Sequence, residues 1–283
     1  MSLVIDFHLH MAIYEDLKPW VVDFYRQNYA KDDPFEDLKK YSSPKEMDEF
    51  LEEIGIDYGI MLPETSPVTT GTATTEYVVE FCRGSRRIIP FATVNPFLTA
   101  NPAKQLEHYV RDLGCKGLKL YPSYQSFYPN DHVLYPVYAK AEELGIPVVF
   151  HTGSSVFKGS RLKYGDPLPL DDVAVDFPDL TIIMAHSGRG FWYDRAFFLS
   201  RLHKNIYMEI AGLPPQNLLS YFPEFERNAD KIIYGSDWPG MPHIKRNVDL
   251  IKDLDLKEET KEKILGGNAA RILGIGDDIE AAS

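Results

Sequence analysis

The chain has 283 residues, 44% hydrophobic and 25% charged, a globular balance that excludes disorder as its main state and supplies enough apolar chain for a substantial core. Its 30 Lys and Arg stand against 42 Asp and Glu, and the resulting formal charge of −12 repels phosphate backbones and anionic lipid, so neither nucleic acid nor a membrane is an expected partner. Two cysteines, Cys82 and Cys115, are too few for a disulfide scaffold, no apolar run reaches the roughly 18 residues of a spanning helix, and no secretion signal is legible, so a cytoplasmic protein is expected.

Short apolar runs rich in β-branched residues recur along the chain, each followed by helix-period sequence. They end near His8, Leu62, Val94, Leu120, Phe150, Ala185, Glu209 and Tyr234. After a first gap of 54 residues the spacing is 24 to 35, the length of one β-loop-α-loop unit. Eight such units predict a single α/β domain over 1–283, a distorted (β/α)8 TIM barrel with an insertion after the first strand.

In the first run, Val4 to His10, the apolar Ile5, Phe7 and Leu9 are expected to face the helices while Asp6, His8 and His10 face inward. Two imidazoles on one strand face can converge on one cation. The insertion, residues 11–43, carries Tyr14, Trp20, Phe24, Tyr25 and Tyr29. It reads as a lid over the site or as a helical excursion packed on the barrel or on a second subunit. Ser43-Pro44-Lys45-Glu46 then spells a capping box that opens a helix with the stripe Met47, Phe50, Leu51 and Ile54, and Asn101-Pro102 opens another ending at Gly114.

On the fourth strand Lys119 points inward between two leucines, to hold a substrate carboxylate or to pair with an internal acid. Later strands end in His151, His186 and Asp237, all metal-competent and all at the C-terminal ends where barrel enzymes assemble their sites. Glu64, Asn95 and Glu209 lie at or beyond strand ends and are candidates to line the pocket, with a turn role as the alternative for Asn95. Arg189 has the fork geometry to clamp a substrate carboxylate, and Trp238 is a further substrate-binding candidate. Arg161 and Lys163 read as surface charge, and His108, His132 and His203 as solvated or capping residues.

The HxH in Asp6-Phe7-His8-Leu9-His10, the HTG at His151, the AHSGRG at His186, the GSDWP at Asp237 and the closing Asn268-Ala269-Ala270-Arg271 together resemble the amidohydrolase superfamily. More narrowly the chain is similar to the amidohydrolase-related branch that holds aminocarboxymuconate semialdehyde decarboxylase, resorcylate-type decarboxylases and uncharacterised hydrolases. The resemblance implies a divalent metal, usually one zinc, with the alternative, as in some branches of the superfamily, of a binuclear site bridged by a carboxylated Lys119. It implies His8, His10, His151 and Asp237 as ligands, and His186 as a catalytic neighbour or extra ligand. Such a donor set leaves room for a water of lowered pKa, and Asp237 and His186 become the catalytic candidates.

The expected activity is hydrolysis of an ester, lactone or amide of a small organic acid by metal-activated water. The alternative is a non-oxidative decarboxylase or hydratase on the same scaffold, and an alternative of another class is a catalytically silent metal-binding barrel. A nicotinamide enzyme is disfavoured because the glycine fingerprint begun at Gly188 fails at Tyr193, and no phosphate-binding loop or nucleophile elbow is present. A small-molecule carboxylate is the expected partner, and a homodimer is compatible with the composition.

Overall fold

A computed structural model of the chain describes residues 2–11 and 13–276; Met1, Ala12 within the predicted insertion, and 277–283 at the end of the predicted domain lie outside the described residues. Eleven strands are present among the described residues: β1 (Ile5–His10), β2 (Tyr58–Leu62), β3 (Glu64–Ser66), β4 (Gly71–Ala73), β5 (Ile88–Pro90), β6 (Ala92–Thr93), β7 (Leu118–Leu120), β8 (Val148–His151), β9 (Ile182–Ala185), β10 (Ile206–Glu209) and β11 (Ile232–Ile233). One parallel sheet runs β1-β2-β5 and a second runs β6-β7-β8-β9-β10-β11.

Backbone hydrogen bonds join the two sheets into a TIM barrel. The third predicted strand is bent at Phe91, whose N–H donates to Met61 O at 3.0 Å on one side while Ala92 N–H donates to Gly117 O at 2.8 Å on the other. Gly117 permits the bend, because a Cβ there would lie 2.3 Å from the buried Phe91 ring. At the opposite seam Phe7 N–H donates to Tyr234 O at 3.1 Å, Asp237 N–H to His8 O at 3.0 Å and His10 N–H to Trp238 O at 2.7 Å. The sequence had not disclosed the antiparallel hairpin β3–β4, which follows β2 at the mouth.

One expectation about β1 needs correction. The register with β2 shifts between Asp6 and Leu9, so the simple alternation is broken. Ile5 and Phe7 pack with Val149, Ile183 and Ile233 in the barrel interior, whereas Leu9 joins the cluster between strands and helices. The irregularity lets Phe7 and His8 both contribute to the interior, apolar at the floor and polar at the mouth.

The helix starts are as the sequence reads. Ser43 Oγ accepts from Glu46 N–H at 3.3 Å and Glu46 Oε2 accepts from Ser43 N–H at 3.1 Å, opening the helix Pro44–Glu53. The floor is closed by the helix Asn268–Leu273, and buried Asn268 donates from Nδ2 to Ala229 O and Ile232 O, both at 2.7 Å. Asn268→Ala strands both carbonyls, and a loss of about 2 to 4 kcal/mol is expected in chemical denaturation. A change under 0.5 kcal/mol in that experiment would refute this role for Asn268.

The insertion folds into a short turn, Tyr14–Asp16, and the helices Pro19–Tyr29 and Phe35–Leu38. It is fastened across the mouth on both sides. Lys18 N–H donates to Thr70 O at 2.9 Å and Trp20 Nε1 to Thr69 O at 2.7 Å, at the hairpin; Asn28 Nδ2 donates to Gly240 O at 2.6 Å and Tyr29 OH to Pro239 O at 3.0 Å, beyond β11.

Candidate active site

Four strand ends bring four histidines and one carboxylate together at the C-terminal mouth. His8 Nε2 and His10 Nε2 are 3.1 Å apart, and Asp237 Oδ1 lies 3.6 Å from each. His186 Nε2 is 3.2 Å from His151 Nδ1, and its Nδ1 is 3.9 Å from Asp237 Oδ2. Potential ligand atoms of His8, His186 and Asp237 all lie within 4.8 Å of one another.

The backbone at this mouth is held in an uncommon conformation. His186, Ser187 and Asp237 have φ of 63°, 46° and 69°, the left-handed region that costs non-glycine residues about 1 to 3 kcal/mol each. Surrounding bonds offset that cost: Ser187 Oγ donates to Glu209 O at 2.9 Å, His186 N–H to Glu209 Oε2 at 3.3 Å, and Trp238 N–H to Ser236 Oγ at 3.0 Å. The turns aim the side chains of His186 and Asp237 back over the barrel axis.

Glu209 is fully buried, and its Oε1 meets His8 Nδ1 at 2.8 Å. A proton on that nitrogen leaves His8 Nε2 as a bare lone pair. His10 Nδ1 faces Leu62 O at 3.3 Å, which by the same reasoning leaves its Nε2 bare. With both rings in these tautomers two lone pairs face each other at 3.1 Å, a repulsive contact by itself but the spacing of two ligands on a divalent ion with bonds of about 2.1 Å. His151 Nε2 is buried without a hydrogen-bond partner, the other orphaned nitrogen of the cluster.

Burial holds the imidazoles of His8, His151 and His186 well below their ordinary range, so all three are neutral and able to donate lone pairs. Burial pushes the Asp237 carboxyl up, but its neighbours, the side chains of His10 and His8 and the Arg189 guanidinium, outweigh it and hold it at about 2. Lys119 Nζ is fully buried with no hydrogen-bond partner, 5.3 Å from the centre of the Tyr121 ring, and burial lowers it to about 8.

Above the cluster lies a cavity of about 290 Å³. His10, His151, His186 and Asp237 line its floor, Glu64 and Arg189 its polar wall, and Tyr121, Tyr124 and Phe157 an aromatic wall. The insertion supplies Met11, Ile13, Leu17, Val21, Phe24 and Tyr25. Arg189 is braced by Ser154 O, which accepts from Nε at 3.3 Å and from Nη2 at 3.0 Å, leaving Nη1 3.9 Å from Asp237 Oδ2. Gly212, at φ +65°, makes room for that pair, since a Cβ there would sit 2.9 Å from both.

Three expected pocket residues are placed elsewhere. Asn95 spans a turn, its Oδ1 accepting from Phe97 N–H at 3.1 Å and its Nδ2 donating to Thr65 O at 3.2 Å, and it borders a separate depression on the barrel's flank. Trp238 is buried against Tyr41 and Phe50, because the chain turns just after Asp237 and sends the indole into the core. Glu209 lies beneath the imidazoles and does not reach the cavity. Arg161 and Lys163 are exposed, and His203 pairs with Asp171 at 2.6 Å.

Sequence reasoning missed Gly212, the Ser154 carbonyl and the service Glu209 gives to His8. The Ser154 carbonyl that holds Arg189, and the Ala211 carbonyl 2.9 Å from His186 Nδ1, are main-chain groups, which carry no residue signature. Gly235 directly before Ser236-Asp237 was a visible signal: a Cβ there would lie 2.1 Å from Glu209 Oε1 and 2.7 Å from His8 Cβ.

A cluster of imidazoles and a carboxylate competent to hold a metal at the C-terminal mouth defines the class, a TIM-barrel enzyme. The chain belongs to the amidohydrolase family, whose family model matches residues 5–275. It is 23% identical over 228 residues to 2-amino-3-carboxymuconate-6-semialdehyde decarboxylase of Dictyostelium discoideum, a match covering 67% of this chain and 62% of that protein's length. Among solved structures it is similar to an uncharacterized TIM-barrel protein from Bordetella bronchiseptica, with 26% identity, a TM-score of 0.80 and coverage of 96% of this chain and 98% of that one. It shares its fold with 5-carboxyvanillate decarboxylase of Novosphingobium aromaticivorans, complexed with manganese and 4-hydroxy-3-methoxy-5-nitrobenzoic acid, at 16% identity, a TM-score of 0.70 and 96% coverage of each chain. Among the described residues, no helix is long and apolar enough to cross a membrane.

Proposed function

We propose that this protein is a metal-dependent, non-oxidative decarboxylase of a small carboxylic acid. The observation that carries the reading is the pair of facing nitrogens His8 Nε2 and His10 Nε2 beside Asp237, with the orphaned His151 Nε2 in the same histidine cluster, under an aromatic-walled cavity. The likeness to two decarboxylases reverses the order of the activities expected from sequence, putting decarboxylation ahead of hydrolysis.

His8, His10, His151 and Asp237 would hold the ion. The grouping of His8, Asp237 and His186 is less favoured on proton bookkeeping: His186 Nδ1 donates to Ala211 O at 2.9 Å, and its Nε2 accepts from His151 Nδ1 at 3.2 Å. Both nitrogens of His186 are then occupied, while that same bond leaves His151 Nε2 bare. Neutral imidazoles and a carboxylate suit zinc and manganese alike, and manganese is the ion to supply first. A bound divalent ion would act as a Lewis acid on a substrate oxygen, drawing off negative charge that builds as the carbon–carbon bond breaks.

The chain's own groups do the rest. Arg189 Nη1 holds an anionic oxygen of the substrate, and the aromatic walls grip the flat carbon skeleton. The bond between that skeleton and its carboxylate breaks, the electron pair stays on the skeleton carbon, and carbon dioxide leaves. Asp237 takes a proton from a substrate hydroxyl or water and passes it to that carbon, so no oxidant is needed. His186 is a positioning residue that fixes the His151 ring, and the insertion serves as a lid that keeps bulk water out.

The test is carbon dioxide release from hydroxybenzoic acids and unsaturated dicarboxylic acids by manganese-loaded and chelated protein. Release that requires the metal is expected; hydrolysis of esters or lactones of these acids without any release would overturn decarboxylation. Arg189→Met is expected to raise KM about 10-fold or more with a smaller change in kcat, and an unchanged KM would remove Arg189 from substrate binding.

A further inference from the structure

Glu64 stands on the cavity wall at the start of β3, beside β4, and takes a hydrogen bond from Thr70 Oγ1. Burial raises its carboxyl above the ordinary range, and the nearby His10 ring and the hydroxyls of Thr70 and Ser66 offset that only in part. Among the described residues no Lys or Arg nitrogen comes within 4.0 Å of it. The Arg189 guanidinium is anchored on Ser154 O and turns its Nη1 to the Asp237 side of the cavity. The neighbouring phenol of Tyr121 gives its proton to Pro63 O at 2.7 Å, and Thr69 Oγ1 gives its own to Tyr124 O at 3.1 Å.

A carboxylate so placed is costly in an aromatic-walled cavity unless something donates to it, because its water is lost when the cavity fills. Thr70 serves only Oε1; among the described residues no hydrogen bond reaches Oε2, and the cavity floor beside it presents bare nitrogens. From this juxtaposition we infer that Glu64 selects the substrate: the acid that fits carries a hydroxyl or amino substituent that donates to the Glu64 carboxylate while its own carboxylate lies towards Arg189. An ether or methyl in place of the donor leaves Glu64 desolvated and unpaired, and a second acidic group on that side meets like charge.

The inference rests on the decarboxylase reading for the kind of acid, but it is tested by binding, which requires no turnover. Calorimetric titration of the manganese-loaded protein with 2-, 3- and 4-hydroxybenzoate and with the matching methoxybenzoates compares donor with non-donor at each position. At least one hydroxy acid is expected to bind about 10 to 100-fold tighter than its methoxy partner, the span of a hydrogen bond to a charged group. That ratio should fall to near unity in Glu64→Leu, whatever happens to absolute affinity. Glu64→Gln, which keeps the volume and one acceptor, should retain part of it and serves if the leucine variant does not fold.

No preference in the wild type, or a preference unchanged in both variants, overturns the assignment. Loss of a second manganese equivalent in Glu64→Gln also overturns it, by making Glu64 a ligand. A preference that follows Glu64 without any carbon dioxide release upholds the selection while counting against decarboxylation, so the two failures are distinguishable.

Discussion

Asp237→Asn is expected to lower turnover by about 10³-fold or more while thermal unfolding stays cooperative. The substitution preserves volume but removes the negative charge opposed to three imidazoles and the oxygen that accepts and returns a proton. The carboxyl sits at about 2 with its neighbours' help, so the wild-type group is ionised across the neutral range, whereas an amide neither ionises nor carries a proton. Single-turnover kinetics at saturating substrate separates this from weakened binding, since a loss confined to KM would contradict a proton-transfer role. Metal content measured by elemental mass spectrometry should be about one equivalent per subunit in the wild type and near zero in His8→Ala. About two equivalents would instead support a bridged pair and a carboxylated Lys119.

Gly235→Ala is expected to weaken metal binding by about 10 to 100-fold although residue 235 bears no ligand atom. A Cβ at this position would lie 2.1 Å from Glu209 Oε1, so the carboxylate must leave His8 Nδ1, from which it stands at 2.8 Å. The imidazole then loses the group that fixes its tautomer and ring orientation, and partners of this kind are worth that much in affinity. Glu209→Gln offers a milder version, since the amide oxygen still accepts from His8. A competitive chelator titration checks both. Equal affinities in wild type and Gly235→Ala would show that Glu209 has another way to reach His8.

The barrel, and the meeting of these side chains at its mouth, were legible in the chain because they depend on local regularities. Apolar runs recur at the length of a β-loop-α-loop unit, and His8 with His10, His151, His186 and Asp237 lie at or just beyond the ends of four of them. A parallel closed barrel sends every strand end to one mouth, so residues far apart in sequence need no other device to meet. The capping box at Ser43 is local in the same sense, and it forms as read.

What depends on three-dimensional approach was not legible. The shift in β1 that turns Phe7 and His8 both inward arises from pairing with β2, and the bend at Phe91 from the space left by Gly117 on the next strand. Trp238 and Asn95 sit beside strand ends, as pocket residues do, but a turn after Asp237 buries the indole and the Asn95 amide is consumed by its own loop. Glu209 lies at a strand end as predicted, yet one layer below the cavity, where its contact with His8 spans 201 residues of chain. Strand periodicity determines which side of a strand a residue occupies; how deep it lies and what it touches are decided by packing between elements, which only the folded molecule supplies.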